Sequence, residues 1–211
     1  MTGGRMMHWP LRRWVRLGAI VAGYAVLVVA AVQGGRAIMQ HVFTPPATQA
    51  TTAIGGPFEM VDHNGRGVTE KTFLGKPTAM FFGYTFCPDV CPTTLSDLTA
   101  LMVDLGSQAD RLNVVFVSVD PARDTPEHLR DYLSAFDSRF IGLTGTQAQV
   151  EQIAKAYRVY YRHSVQDNGL DLIDHTAAVY LMDARGGFVG IIGYQSDQQA
   201  ALTKLRNLLR T

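Results

Sequence analysis

Residues 78–105 read TAMFFGYTFCPDVCPTTLSDLTALMVDL, and the order of residue types in this stretch decides the fold. Thr78 to Tyr84 is a near-continuous apolar and aromatic run, the pattern of a strand buried on both faces. Leu95, Leu98, Leu101, Met102 and Leu105 then recur at helical spacing. Pro92 suits the first turn of that helix, where its missing N–H has no partner to lose. Both cysteines of the chain, Cys87 and Cys91, fall at this strand-to-helix junction, three residues apart and each followed by proline.

Outward from this unit, further strands are expected around 58–62, 112–119, 176–182 and 187–193, the last two joined by the turn Asp183-Ala184-Arg185-Gly186. Helical spacing returns at Leu129, Leu133 and Phe136, at Val150, Ile153, Ala154 and Tyr157, and at Leu202, Leu205, Leu208 and Leu209. Thr125 before Pro126, Thr146 with Gln149, and Ser196 with Gln199 mark the helix starts. Helices alternating with apolar strands predict an α/β, thioredoxin-like fold over 57–211. Its central, mostly parallel sheet is flanked by helices and closed by an antiparallel hairpin.

The 211-residue chain carries a net charge of +1, which conceals an asymmetry. Residues 1–36 hold five arginines and no acid, leaving 14 basic and 18 acidic side chains for the rest. A mildly acidic body excludes nucleic acid as a partner, since no Lys/Arg cluster is available to meet phosphates. Between Arg16 and Arg36 lie nineteen uncharged residues, LGAIVAGYAVLVVAAVQGG. At about 1.5 Å rise per residue they match a ~30 Å hydrocarbon core. The expected organisation is a basic cytoplasmic N-terminus (1–16), a transmembrane anchor (17–35), a linker (36–56) containing Pro45-Pro46, and the exported domain. In a bacterium this is a single-pass inner-membrane protein with its domain in the periplasm. A cleavable signal peptide is the alternative.

Thiols at a helix N-terminus, outside the carboxyl end of a strand, are placed for reactivity, because unpaired backbone N–H groups favour the thiolate. Coiled into one turn, Cys87 and Cys91 come close enough for a disulfide or for shared ligation of one soft metal ion. Spacing alone does not choose between these. Two thiolates are too few for an iron–sulfur cluster or a cysteine-rich zinc site, whereas Cu(I) accepts two or three soft ligands.

A third ligand must then come from elsewhere. His8 and His41 lie outside the domain; His63 falls in the turn Asp62-His63-Asn64-Gly65, His128 near a helix start, and His163 on a strand or its edge. His175 enters the strand TAAVYLM, beside the junction that carries the thiols in a thioredoxin-like sheet, and is the candidate ligand; a loop histidine bonded to backbone is the alternative.

Three blocks, FFGYTFCPDVCPTTL at 81–95, SVDPARDTPEHLRDY at 118–132 and DLIDHTAAVYLMD at 171–183, resemble the signatures of the Sco/SenC family of membrane-tethered copper chaperones. The resemblance runs from about Gly56 to the C-terminus. It implies a thioredoxin-like fold and Cys87, Cys91 and His175 as copper ligands, for Cu(I) first and Cu(II) second. It also implies a role in supplying or maturing the binuclear copper centre of cytochrome c oxidase, so that the partner is its copper-bearing subunit or another copper protein. Asp120 and Asp124 belong to the second block. Asp124 with Thr125 reads as helix capping, Asp120 as a neighbour of the thiols, and Asp89 as a turn residue or a tuner of their pKa.

Two other readings stand beside a metallochaperone. Cys87 and Cys91 are a redox-capable pair, so the domain is alternatively a thiol-disulfide oxidoreductase that keeps partner cysteines reduced. Against this, thioredoxin-type reductases place two residues between their cysteines and a proline before the penultimate strand, and no proline follows Pro126. Val90-Cys91-Pro92-Thr93 also resembles the peroxidatic segment of peroxiredoxins, without the matching upstream threonine and proline.

Overall fold

Strand β3 (Thr78–Gly83), buried at every position, lies near the middle of a seven-stranded sheet of order β2-β1-β5-β4-β3-β8-β9. The other strands are β1 (Glu59–Asp62), β2 (Gly67–Thr69), β4 (Asn113–Ser118), β5 (Phe140–Thr144), β8 (Ala178–Met182) and β9 (Phe188–Gly193). A separate two-stranded sheet pairs β6 (Tyr161–Val165) with β7 (Asp171–His175). The helices are α1 (Val90–Leu105), α2 (Pro126–Leu133), α3 (Gln147–Tyr157) and α4 (Gln198–Leu208). This computed structural model describes residues 54–165 and 171–211, with isolated positions at Leu27, Val28, Ala30 and Gln33. The anchor expected over 17–35 and the linker up to residue 53 otherwise lie outside the described residues. Among the described residues no helix is long and apolar enough to cross a membrane.

The α/β architecture agrees with the sequence, but the sheet is mixed rather than mostly parallel. Only β3–β4 and β4–β5 pair in parallel; β1–β2, β1–β5, β3–β8 and β8–β9 are antiparallel. After α3 the chain reaches the carboxyl end of β3, where the β6–β7 hairpin leaves and returns with Thr176 N–H bonded to the Tyr160 carbonyl, so β8 starts from that end and runs back along β3, with Val179 opposite Phe81 and Met182 opposite Thr78.

Alternation along β3 decides what each face meets. Phe81 packs against Phe116 of β4, which in turn meets Tyr132 of α2. On the opposite face Phe82 meets Tyr157 of α3 and Tyr180 of β8. Helix α1 buries Leu95, Leu98, Leu101, Met102 and Leu105, the periodic set read from the sequence. At about 1.5–3 kcal/mol for each fully buried large apolar side chain, these rows anchor the helix that carries the thiols.

The expected caps on α2 and α3 are present: Thr125 accepts from the backbone N–H of His128 with Pro126 at the first position, and Thr146 and Gln149 form a capping box. For α4 the cap is Asp197, which accepts from Ala200 N–H, and Ser196 instead donates to the Gly193 carbonyl.

Candidate metal centre

Strand β3 ends at Gly83, and the chain leaves it through a tight turn in which Cys87 N–H donates to the Tyr84 carbonyl. Helix α1 begins two residues earlier than Pro92 suggests, at Val90 with Asp89 as N-cap, so Cys91 is its second residue and Pro92 its third. Cys91 N–H donates to Cys87 Sγ at 3.4 Å, which turns the two sulfurs toward each other around the first helical turn. Both cysteines are free thiols, Cys87 half-buried and Cys91 fully buried. Gly83 makes room for Cys91: a Cβ there would stand 2.6 Å from Sγ and 2.9 Å from Phe116 Cε2.

The third member arrives 84 residues later. His175 closes β7, and its Nδ1 lies 3.2 Å from the Thr176 carbonyl oxygen. A carbonyl only accepts, so Nδ1 carries the proton and Nε2 presents a lone pair. Nε2 faces Cys91 Sγ at 3.3 Å. The imidazole is held by the edges of two rings, Phe81 at 6.0 Å and Tyr84 at 5.9 Å between centroids. Donor atoms of Cys87, Cys91 and His175 all lie within 4.8 Å of one another. Bonds of about 2.0–2.3 Å to one ion at trigonal angles separate the donors by about 3.5–4.0 Å, so the spacing suits a single ion, and two sulfurs with one imidazole suit a soft one.

Electrostatics divide the thiols. The hydrogen bond from Cys91 pulls the Cys87 pKa well below the ordinary thiol value, helped by the N–H groups of Asp89 and Cys91, against the opposing effect of burial. Cys91 moves upward, first because its proton is held in the bond to Cys87, then through burial and the adjacent Cys87 charge. The hydrogen bond between the two sulfurs thus favours the charge on the more accessible one, Cys87, and keeps the shared proton on Cys91.

The remaining residues singled out by sequence separate into supports and bystanders. Asp124 does not cap α2. Fully buried, it accepts from Thr85 N–H (3.2 Å), Thr85 Oγ (2.5 Å) and Ser118 Oγ (2.5 Å), tying the turn before Cys87 to the end of β4. Burial raises its pKa, partly offset by the bonds from Ser118 and Thr85. Asp120 is buried and ion-paired with Arg123. Asp89 is exposed and receives a bond from Thr93 Oγ.

His63 accepts from Gly142 N–H, and His163, exposed on β6, pairs with Asp171. His128 stacks on Phe86 at 5.3 Å, and its Nε2 bonds Thr85 Oγ. Sequence reasoning passed over Tyr84, Phe86 and Arg123, which surround the site. Placement of Tyr84 and Phe86 immediately before Cys87 is the signal that could have found the two aromatics.

The chain is similar to several known proteins over most of the described domain. A family model described as SCO1/SenC matches residues 46–210. The protein SenC of Rhodobacter capsulatus is 35% identical over 180 residues, covering 82% of this chain and 81% of that protein. Mitochondrial SCO2 of Saccharomyces cerevisiae is 40% identical over 163 residues, 76% of this chain and 54% of its own. The chain spans about half the length of the mitochondrial relatives it matches. Among solved structures, that of Bradyrhizobium japonicum ScoI with copper bound superposes with a TM-score of 0.69 at 44% identity, over 74% of this chain and 99% of that one.

Proposed function

The chain belongs to the SCO1/SenC family, and from that premise we propose that it is a copper chaperone that binds Cu(I) through Cys87 Sγ, Cys91 Sγ and His175 Nε2. The observation that carries the reading is the convergence of these three donors within 4.8 Å, with the imidazole tautomer already set to present Nε2. The copper bound to the similar Bradyrhizobium structure supports the choice of ion.

The cargo passes by ligand exchange. An incoming thiolate from a partner reaches Cys87 first, because Cys87 is accessible and Cys91 is buried. Its recipient is the binuclear copper centre of cytochrome c oxidase or another copper protein, as the resemblance of the three sequence blocks implies. The domain from residue 57 works on the outer side of a bacterial inner membrane, tethered by the 17–35 segment through the 36–56 linker. The five arginines before residue 37 and the uncharged stretch 17–35 support that arrangement.

Anaerobic titration of the reduced full chain with Cu(I) against a chromophoric chelator tests the assignment. One ion per chain is expected, bound far more weakly by Cys87→Ser, Cys91→Ser and His175→Ala. Copper binding no tighter than to a thiol-free variant would remove the reading.

One observation favours a second reading, a thiol-disulfide reductant. A half-buried thiolate beside a fully buried protonated thiol is the division of labour between an attacking and a resolving cysteine. Insulin reduction by the metal-free protein discriminates the two. Burial of Cys91, with its thiol held protonated, weighs against a peroxidase, whose nucleophile must be an accessible thiolate.

A further inference from the structure

Three parts of the chain meet at the guanidinium of Arg123. Its Nε is bonded and ion-paired to the carboxylate of Asp120, which is 1% exposed and follows the end of β4. Its Nη1 donates to the carbonyl of Asp171, the first residue of β7, at 3.2 Å. Its Cζ lies 5.0 Å from the centroid of Phe86 and 5.7 Å from that of Tyr84, so the planar group rests on both rings that precede Cys87.

Tyr84 extends the connection: its Oη accepts from Ile173 N–H at 3.1 Å, and its ring meets that of His175 at 87°. Strand β7 pairs only with β6 among the described residues and joins no strand of the large sheet. The hairpin that delivers His175 is therefore joined to the thiol-bearing body at the first residue of β7 by Arg123 and at the third by Tyr84, on which Arg123 lies.

We propose that Arg123 is a positioning residue for His175: it joins the buried Asp120 to the Asp171 carbonyl and clamps Tyr84, fixing the distance from Nε2 to the two sulfurs. This rests on His175 being a copper ligand. The chemistry requires arginine, because a planar fork reaches two acceptors at a fixed angle while stacking on rings, and an ammonium does neither. Acting through His175 alone, Arg123 has no further influence once the imidazole is gone.

The test is a cycle of Cu(I) affinities measured by chelator competition on the reduced full chain, for the parent, Arg123→Ala, Arg123→Lys, His175→Ala and the double variant Arg123→Ala/His175→Ala. Arg123→Ala and Arg123→Lys should each weaken binding about tenfold, the lower end of the effect of losing a ligand's support. In the His175→Ala background the same change should shift affinity by less than about twofold. Parent-like affinity in Arg123→Ala, or an equal loss with and without His175, overturns the proposal.

If His175→Ala binds as tightly as the parent, the ligand assignment has failed, and the inference falls with it by a result that does not involve Arg123. Should Arg123→Ala lose its cooperative thermal transition, Arg123→Lys and Tyr84→Phe carry the same comparison. Tyr84→Phe keeps the ring and removes only the acceptor for Ile173 N–H.

Discussion

Gly83 and Cys91 meet so closely that a single added carbon would collide with the sulfur: a Cβ on Gly83 would lie 2.6 Å from Cys91 Sγ. The backbone of Gly83 is ordinary strand, so the constraint is space and not φ. The same carbon would lie 2.9 Å from Phe116 Cε2 and 3.3 Å from Phe81 Cε1, so it would crowd two rings as well as the sulfur. Gly83→Ala should therefore cost about 1–3 kcal/mol of stability through overpacking. It should also displace Sγ from the other donors and weaken Cu(I) binding. Urea unfolding and chelator competition report the two effects, and an unchanged midpoint would show that the sheet yields more easily than close packing allows.

The two thiols should react in a fixed order. An ordinary thiol, with a pKa of about 8.5, loses thiolate about tenfold for each pH unit below that value. Cys87, whose pKa is lowered chiefly by the Cys91 bond, retains its thiolate, so iodoacetamide should modify it at a nearly level rate between about pH 8 and pH 6. Cys91, shifted upward and buried, should stay unmodified until the domain unfolds. Peptide mapping of the reduced, metal-free protein assigns the label. Equal labelling of both sites, or a tenfold fall per unit at Cys87, contradicts the shared-proton arrangement.

Asp124 predicts a loss that charge removal does not relieve. Its Oδ2 accepts Thr85 N–H and Ser118 Oγ–H while its Oδ1 accepts Thr85 Oγ–H, so in either amide orientation Asp124→Asn turns N–H₂ toward a group that now donates. A destabilisation of about 1–3 kcal/mol is expected, the cost of leaving buried donors unsatisfied. Thr85→Val on top of Asp124→Asn should add less than it does alone, because the two residues share one network. Independent, fully additive losses in urea midpoints would argue that Asp124 acts elsewhere.

Oxidation should switch the site off. The facing sulfurs of Cys87 and Cys91 can close into a disulfide, leaving His175 as the single remaining donor of the set. Diamide treatment should abolish Cu(I) binding and dithiothreitol restore it, with two titratable thiols lost and regained per chain. Such a short loop constrains the unfolded chain little, so the thermal midpoint should move only slightly. Retained copper binding after complete thiol loss would exclude both cysteines as ligands.

How far these features are legible in the sequence depends on whether their cause is local. Strands β3 and β4 are readable because both faces of each are buried, which forces an uninterrupted apolar run. The caps at Thr125 and Thr146 are readable because the partners lie within three residues. Strand β5, FIGLT, hides behind Gly142, whose lack of a side chain is demanded by Leu133 Cδ1, 2.8 Å from where a Cβ would stand. Strand β7, DLIDH, buries only Ile173, so neither alternation nor an apolar run reveals it, and the chain there reads as a loop.

The site divides in the same way. Cys87 and Cys91 declare themselves by spacing, and His175 by its place before an evident strand. Arg123 acts through a partner 48 residues away and nothing nearby in sequence marks it, while Tyr84, marked by its place before Cys87, acts through a partner 89 residues away that the sequence does not reveal.

The 84-residue interval between Cys91 and His175 makes three-donor binding a test of folding. In an unfolded chain the two thiols remain neighbours, but the imidazole wanders at a typical distance of about 50 Å, taking 5–6 Å times the square root of the interval. Only completion of the sheet and docking of the β6–β7 hairpin bring the third donor home. From this set of donors, a chain not yet folded offers a soft ion only the two neighbouring thiols, with the affinity of an exposed dithiol. Full affinity thus certifies a finished domain, and unfinished copies lose the competition for the metal without any separate inspection.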